Sequence, residues 1–440
     1  MKRSAFIPGL KIFILVLAEI TFAAGSRAAE FPDPALPAGV GVNIHFTREH
    51  ERDIDLIAAG GFKFIRMDFF WESIETKKGQ YDWSAYDELT ANLERRGVRP
   101  YYILDYSNPL YEEIGSGKNP INGKVETARM SPQHPESVAA FARFAAAATE
   151  HFHGRHVIWE IWNEPNGSFW ELKPDVRQYT TLALETCKAI RRADPQATIV
   201  APATSGFQWD FMEAFLKSGA LEFIDGVSVH PYRSPRQPPE SAAGEYRRLR
   251  ELIERYAPTE AKKKIPIISG EWGYSSNTKG VSPETQAAFL VRQQLSNLLL
   301  GVPISIWYDW KNDGSDPNEN EHNFGTVTPD LHPKPAYLAV QTLTRELSGY
   351  RISQRFDTGN TNDFVLVLTN APGETKLAAW TRAAAHPMTL TLQPTSLKEL
   401  TVLGINGNES KIKIDGNRAE LSLDGNPEYI ALGKATLANL

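Results

Sequence analysis

Cysteine is nearly absent: Cys187 is the only one in 440 residues. A single thiol excludes an internal disulfide, a paired-cysteine redox centre and a multi-cysteine zinc site, so stability must come from a packed core. A basic surplus is absent too. Lys plus Arg number 47 against 53 for Asp plus Glu, a net charge of −6. Nothing is left over to neutralise a phosphate backbone, which argues against a nucleic-acid partner. No window of the chain holds the roughly 20 apolar residues needed to cross a bilayer. Long-period repeats and low-complexity segments are missing. The strings His-Glu-x-x-His and Gly-x-Ser-x-Gly are also missing, against a metalloprotease and an α/β-hydrolase esterase. What is present is ordinary for a globular chain, 42% hydrophobic and 23% charged, so disorder, collagen and coiled coil are excluded.

The N-terminus carries Lys2, Arg3 and Lys11, then the apolar run 12–18 and a small-residue stretch at 22–29. This reads as a signal peptide over residues 1–29, too short to span a membrane. The expected product is secreted or periplasmic, with no membrane span once the leader is removed.

From about residue 38 to 348, short apolar runs alternate with amphipathic segments. Strand-like runs fall at 40–46, 62–68, 98–105, 157–163, 198–203, 226–230, 265–271 and 303–309. Helical spacing fills intervals such as 50–59, 82–96, 136–152, 176–193, 245–256 and 283–300. The strand-like runs are apolar throughout, as in strands buried on both faces. Eight βα units predict an α/β fold, a (β/α)8 barrel over residues 30–349. A doubly wound sheet would want a Gly-rich phosphate turn after its first strand, but Gly39-Val40-Gly41-Val42-Asn43 leads into a strand. Past residue 350, short β-type runs are punctuated by Gly, Asn, Asp and Pro. That rhythm predicts a small C-terminal antiparallel β-sandwich over 350–440.

Catalytic groups in such barrels come from the C-terminal ends of strands. The fourth strand runs into Trp162-Asn163-Glu164-Pro165-Asn166, and the seventh into Ser269-Gly270-Glu271-Trp272. Each delivers a Glu where an apolar strand meets its loop. Glycoside hydrolysis needs two such carboxyls, one to protonate the leaving oxygen and one to attack the anomeric carbon or activate water. A lone strand-end Glu is more often a salt-bridge or capping residue; the specific string around Glu164 shifts the balance. Asn163 is placed to hydrogen-bond a sugar hydroxyl, and Pro165 stops the strand.

These motifs resemble those of clan A glycoside hydrolases, families 39 and 5. Trp162-Asn163-Glu164-Pro165-Asn166 is similar to the strand-4 acid/base motif, and Ser269-Gly270-Glu271-Trp272 to the strand-7 nucleophile motif. Val229-His230-Pro231-Tyr232 resembles strand 6, Ile65-Arg66-Met67-Asp68 strand 2, and Ile306-Trp307-Tyr308 strand 8. The resemblance covers about residues 38–348. It departs from family 5 on strand 3, where Tyr101-Tyr102-Ile103-Leu104-Asp105-Tyr106 lacks that family's His. Family 39 is therefore the nearer expectation.

The resemblance implies a retaining mechanism without a cofactor or metal. Glu271 would be the nucleophile and Glu164 the acid/base. Arg66, Asn163, His230, Tyr232 and Trp307 would bind substrate around them. His45 and Asn43 on the first strand alternate with Val42 and Ile44 and are expected to face the axis. Trp71, Trp162, Trp170, Trp209, Trp272 and Trp310 fall near strand ends as further stacking candidates. Long connections at 108–130 and after the eighth strand are expected to wall a cleft. The expected activity is cleavage of β-linked oligo- or polysaccharide, endo-acting. The alternatives are an exo-acting, β-xylosidase-like enzyme and a non-catalytic carbohydrate-binding protein.

Overall fold

The computed structural model describes residues 31–118, 125–258, 264–393 and 397–438. The expected leader lies outside the described residues. Eight parallel strands close into a barrel: β1 Val40–Asn43, β2 Phe64–Phe70, β3 Arg99–Asp105, β4 Ile158–Ile161, β5 Thr198–Ser205, β6 Gly226–His230, β7 Ile267–Trp272 and β8 Ser305–Trp307. Each is followed by a helix of the outer ring: α1 Glu51–Ala59, α2 Ser84–Glu94, α3 Pro135–His151, α4 Val176–Ala193, α5 Trp209–Lys217, α6 Ala243–Tyr256, α7 Pro283–Leu299 and α8 Pro335–Glu346. Helix starts follow local chemistry. Asp175 accepts hydrogen bonds from the amides of Arg177 and Gln178 at the start of α4. Ser282 accepts from Thr285 ahead of Pro283 at the start of α7.

The strands bury both faces, as their uninterrupted apolar character requires. Outward residues join the helices in one large core. Inward residues Phe64, Tyr101, Ile158, Val200, Ile268, Ile304 and Ile306 form a separate plug, with Phe31 packed against it. Side chains in a strand return to the same face every two residues. The next inward positions, Arg66 above Phe64 and Glu160 above Ile158, are polar and sit on that apolar floor.

The connection after β3, expected as a long loop, contains a hairpin of Ile114–Lys118 with Val125–Arg129. Gly115 and Gly117 let it approach its neighbours closely. A Cβ on Gly115 would stand 2.3 Å from Met130 Sδ, and one on Gly117 2.9 Å from Leu172 Cδ1. The hairpin therefore lies against the connection that follows β4.

The C-terminal region is antiparallel, as expected. Its nine strands, from Arg351–Arg355 to Thr436–Leu437, form one continuous curled sheet rather than two separate ones. The sheet encloses its own core, which includes Val365, Leu377, Leu390, Val402, Leu421 and Ile430. A buried polar network joins it to the barrel. Glu240 accepts from Arg292 at 2.7 and 2.9 Å and from the Trp380 indole at 2.7 Å. Arg292 also donates to the Gly425 carbonyl at 3.2 Å. Among the described residues, no helix is long and apolar enough to cross a membrane.

Candidate active site

Glu164 reaches the barrel mouth on strained backbone. Trp162 and Glu164 have φ of 67° and 45°, a region that costs a non-Gly residue about 1–3 kcal/mol. Neighbouring bonds hold the turn. The Glu164 amide donates to the Ala203 carbonyl at 3.0 Å. Asn166 clamps the main chain of Ser205 through two bonds, at 2.8 and 2.9 Å. The Trp162 indole donates to the Phe169 carbonyl at 3.0 Å.

Glu271 reaches the same mouth through a β-bulge. Ser269 pairs with Ser305 and Trp272 with Trp307, so two residues of β7 oppose the single Ile306 of β8. Strict alternation would turn Glu271 toward the helices; the extra residue turns it inward. Gly270 then also faces inward, into space already filled. A Cβ there would stand 2.3 Å from Ser228 Oγ, 3.2 Å from Glu160 Oε1 and 3.3 Å from His230 Nε2. Glycine precedes Glu271 because nothing larger fits.

Arg66, only 1% exposed, organises the centre. Its Nη1 donates to Glu271 at 2.6 Å and to Asn43 Oδ1 at 3.2 Å. Its Nε donates to Glu160 at 2.7 Å. Its Nη2 donates to Asn163 Oδ1 at 2.9 Å and faces His230 Nε2 at 3.3 Å. A guanidinium has only protons to offer. His230 Nε2 must therefore be the acceptor, which leaves the ring proton on Nδ1, donated to Glu164 Oε1 at 2.9 Å. The Tyr232 hydroxyl donates to the other Glu271 oxygen at 2.7 Å. Burial, and then Glu271, push the Tyr232 hydroxyl well above its usual range, so it stays a donor. Beneath, Tyr101 donates to Glu160 at 2.6 Å, and burial and that carboxylate likewise raise its hydroxyl.

Carboxylate oxygens of Glu164 and Glu271 and a ring nitrogen of His230 lie within 4.8 Å of one another. Those three groups have the spacing of metal ligands, but the Arg66 guanidinium already lies against two of them. A cation there would meet a fixed positive charge. Glu112, Glu113 and His134 form a second such group. There one Glu112 oxygen is spent on the start of α3, accepting from the Gln133 and His134 amides.

The structure thus brings together Glu164, Glu271, Arg66, Asn163, His230, Tyr232 and Asn43. His45 stands at the rim, 41% exposed, with Nε2 3.6 Å from Asp309 Oδ2 and 3.4 Å from Asn43 Nδ2. Trp307 does not join them. It is fully buried in the layer between barrel and helices and donates to the Phe324 carbonyl at 3.3 Å. The reason is parity: Ile304 and Ile306 face the axis, so Trp307 faces away and Tyr308 faces in. Tyr308 sits edge-on to His45 at 5.7 Å and 6.4 Å from Tyr232. Continuing the alternation from Ile304 would have found it. Trp71, Trp162, Trp170, Trp272 and Trp310 are each at most 1% exposed and build the core. Trp209 is half-buried, with Arg248 4.0 Å above its ring. Six of the seven tryptophans expected as platforms are thus buried, because indoles this large fill the barrel–helix layer.

Asp105 ends β3 fully buried, with no protein donor to either oxygen. Burial, and then the adjacent Asp68 carboxylate, hold its pKa well above the usual carboxylate range. Both causes favour its protonated form over the carboxylate. The folded state keeps this proton above pH ~4, where an unfolded Asp loses it, so stability falls as pH rises toward the folded value. Asp105→Asn cannot titrate. It is expected to flatten that decline by up to ~1.4 kcal/mol per pH unit, read from urea midpoints between pH 4 and 8. Equal slopes in the two proteins would contradict the assignment.

Residues 35–313 match the family model described as cellulase (glycosyl hydrolase family 5). The chain belongs to this family. The hydrolase is 23% identical over 346 residues to a beta-xylosidase of Caldicellulosiruptor saccharolyticus, covering 70% of this chain and 69% of that one. A family 39 glycoside hydrolase from the gut symbiont Bacteroides cellulosilyticus WH2 superposes with a TM-score of 0.76 at 26% identity, over 89% of this chain and 80% of that one. A GH39 beta-xylosidase from Caulobacter crescentus gives a TM-score of 0.64 at 20% identity, over 92% and 98%, a likeness of fold alone. The hydrolase is thus a clan A O-glycosyl hydrolase resembling family 39, and its substrates are carbohydrates.

Proposed function

We propose that the hydrolase cleaves β-xylosidic bonds with retention of configuration and releases sugars from the ends of xylo-oligosaccharides. The observation that carries the mechanism is the short separation of Glu164 and Glu271, with oxygens within 4.8 Å. Retaining enzymes hold their carboxyls about 5–5.5 Å apart, and inverting ones about 6.5–9.5 Å to admit a water. In this reading Glu271 attacks the anomeric carbon as the glycosidic C–O bond breaks, and Glu164 gives its proton to the departing oxygen. Water then loses a proton to Glu164 and attacks the same carbon, which frees Glu271. Arg66 and Tyr232 each hold one oxygen of the nucleophile and so keep it aligned. His230 donates to one Glu164 oxygen and leaves the other for the leaving group. The Asn163 amide has a second N–H for a substrate hydroxyl beyond the one given to Tyr106.

The xylose assignment rests on relatives named as beta-xylosidases. They also favour exo action, and an endo-acting cleft loses the row of tryptophans that the sequence suggested for it. The apolar, small-residue stretch before residue 30 supports an exported enzyme. The test is proton NMR of xylotetraose digestion. β-Xylose forming first, with xylotriose as its partner product, is the expected result. α-Xylose forming first would overturn retention, and early xylobiose pairs would overturn exo action.

A further inference from the structure

Among the described residues, six large apolar side chains are exposed, and only Phe70 and Phe169 of these are aromatic. Both lie on Tyr106. Phe169, 44% exposed, stacks nearly parallel to Tyr106, at 5.8 Å and 8°. Phe70, 38% exposed, tilts against Tyr106 at 6.3 Å and 44°. Tyr106 itself is pinned edge-on to the buried Trp162 ring at 5.4 Å, and its hydroxyl accepts from Asn163 at 2.9 Å. The Phe169 carbonyl is held by the Trp162 indole, so the exposed ring is anchored at its backbone. This apolar surface begins one hydrogen bond from Asn163, the neighbour of Glu164, and runs outward over strand ends β2, β3 and the connection after β4.

Solitary exposed rings need no explanation, but adjoining ones that continue an active site do. We propose that Phe169, Tyr106 and Phe70 form a platform for a second sugar ring, adjoining the one that reacts. The C–H faces of a pyranose pack on such rings, and an uncharged sugar suits a surface built from three uncharged rings. The connection after β4 and the hairpin braced against it fix the platform from outside.

The inference rests on the proposed xylosidase reading, so its test separates the two. β-Xylosyl fluoride fills only the reacting position, whereas xylotetraose extends past it. For Phe169→Ala the ratio of kcat/KM on xylotetraose to that on β-xylosyl fluoride should fall at least tenfold, through KM, and Phe169→Trp should restore it. An unchanged ratio overturns the platform, whether the two activities fall together or neither moves. Calorimetric binding of xylotetraose to Glu271→Gln, with and without Phe169→Ala, needs no turnover and should show the same tenfold loss. If wild type hydrolyses neither substrate while that binding difference persists, the platform stands and the xylosidase reading fails. If binding is equal in the two backgrounds, or absent from both, the platform fails.

Discussion

Glu271→Gln is expected to lower turnover by on the order of 10⁴- to 10⁶-fold, the range for loss of a covalent nucleophile, while glycan binding survives. At about 1.4 kcal/mol per tenfold, this is at least ~5.5 kcal/mol of lost transition-state stabilisation. The amide is nearly the same shape as the carboxylate. Its oxygen can still accept from Arg66, and its NH₂ can donate to the Tyr232 oxygen, so both neighbours keep a partner. Folding should therefore change little, which urea denaturation checks alongside steady-state rates. In Glu271→Ala, which opens room where the carboxylate stood, added azide gives a further readout, because the small anion can attack in its place and yield the glycosyl azide of inverted configuration. Residual activity above a hundredth of wild type would remove Glu271 from the nucleophile role.

Arg66 carries the second large effect, on stability as well as rate. Glu160 beneath it is fully buried, and Arg66 is the cation that balances it. Arg66→Met leaves that carboxylate uncompensated, at a cost of about 3–5 kcal/mol, a large fraction of a typical 5–15 kcal/mol. The double change Arg66→Met, Glu160→Gln removes both charges and should recover more than half of that loss in urea midpoints. Activity should not recover with it, because Glu271 would still lack its cation. The two outcomes separate support of the fold from support of the reaction. If the double variant is no more stable than the single one, the pairing with Glu160 is not what Arg66 contributes. Lysine is no substitute here, since a single ammonium cannot serve Glu160, Glu271, Asn163 and Asn43 at once.

Much of this was legible in the sequence, for identifiable reasons. Eight apolar runs alternating with helical spacing leave few architectures open, and the two glutamates stand at strand ends where barrel chemistry resides. The Arg66, Asn163, His230 and Tyr232 motifs each carried their own strand context. Trp307 was misplaced because the motif drew attention to the indole while the alternation from Ile304 and Ile306 pointed to Tyr308. The other tryptophans were misjudged because proximity to a strand end says nothing about which side of the strand a ring takes. Phe169 left no signal at all. It lies in an irregular connection, and only the packing of Trp162 beneath that connection decides that its ring faces out. The hairpin at 114–129 was hidden by its glycines, whose use depends on Met130 and Leu172 being close by.

The bulge in β7 shifts that strand's phase. Ile268 obeys the same even-numbered rhythm as Ile304 and Ile306, and above Gly270 the rhythm is offset by one. Glycine and glutamate therefore operate as a pair, two residues opposite one, with a single residue inserted. Deleting Gly270 would restore a regular strand with Glu271 opposite Ile306 and still inward, but would take away the backbone that fills the space between Ser228, Glu160 and His230. A regular strand sets one residue of two adjacent ones toward the axis, as with Glu160; the inserted residue lets Gly270 and Glu271 both face it.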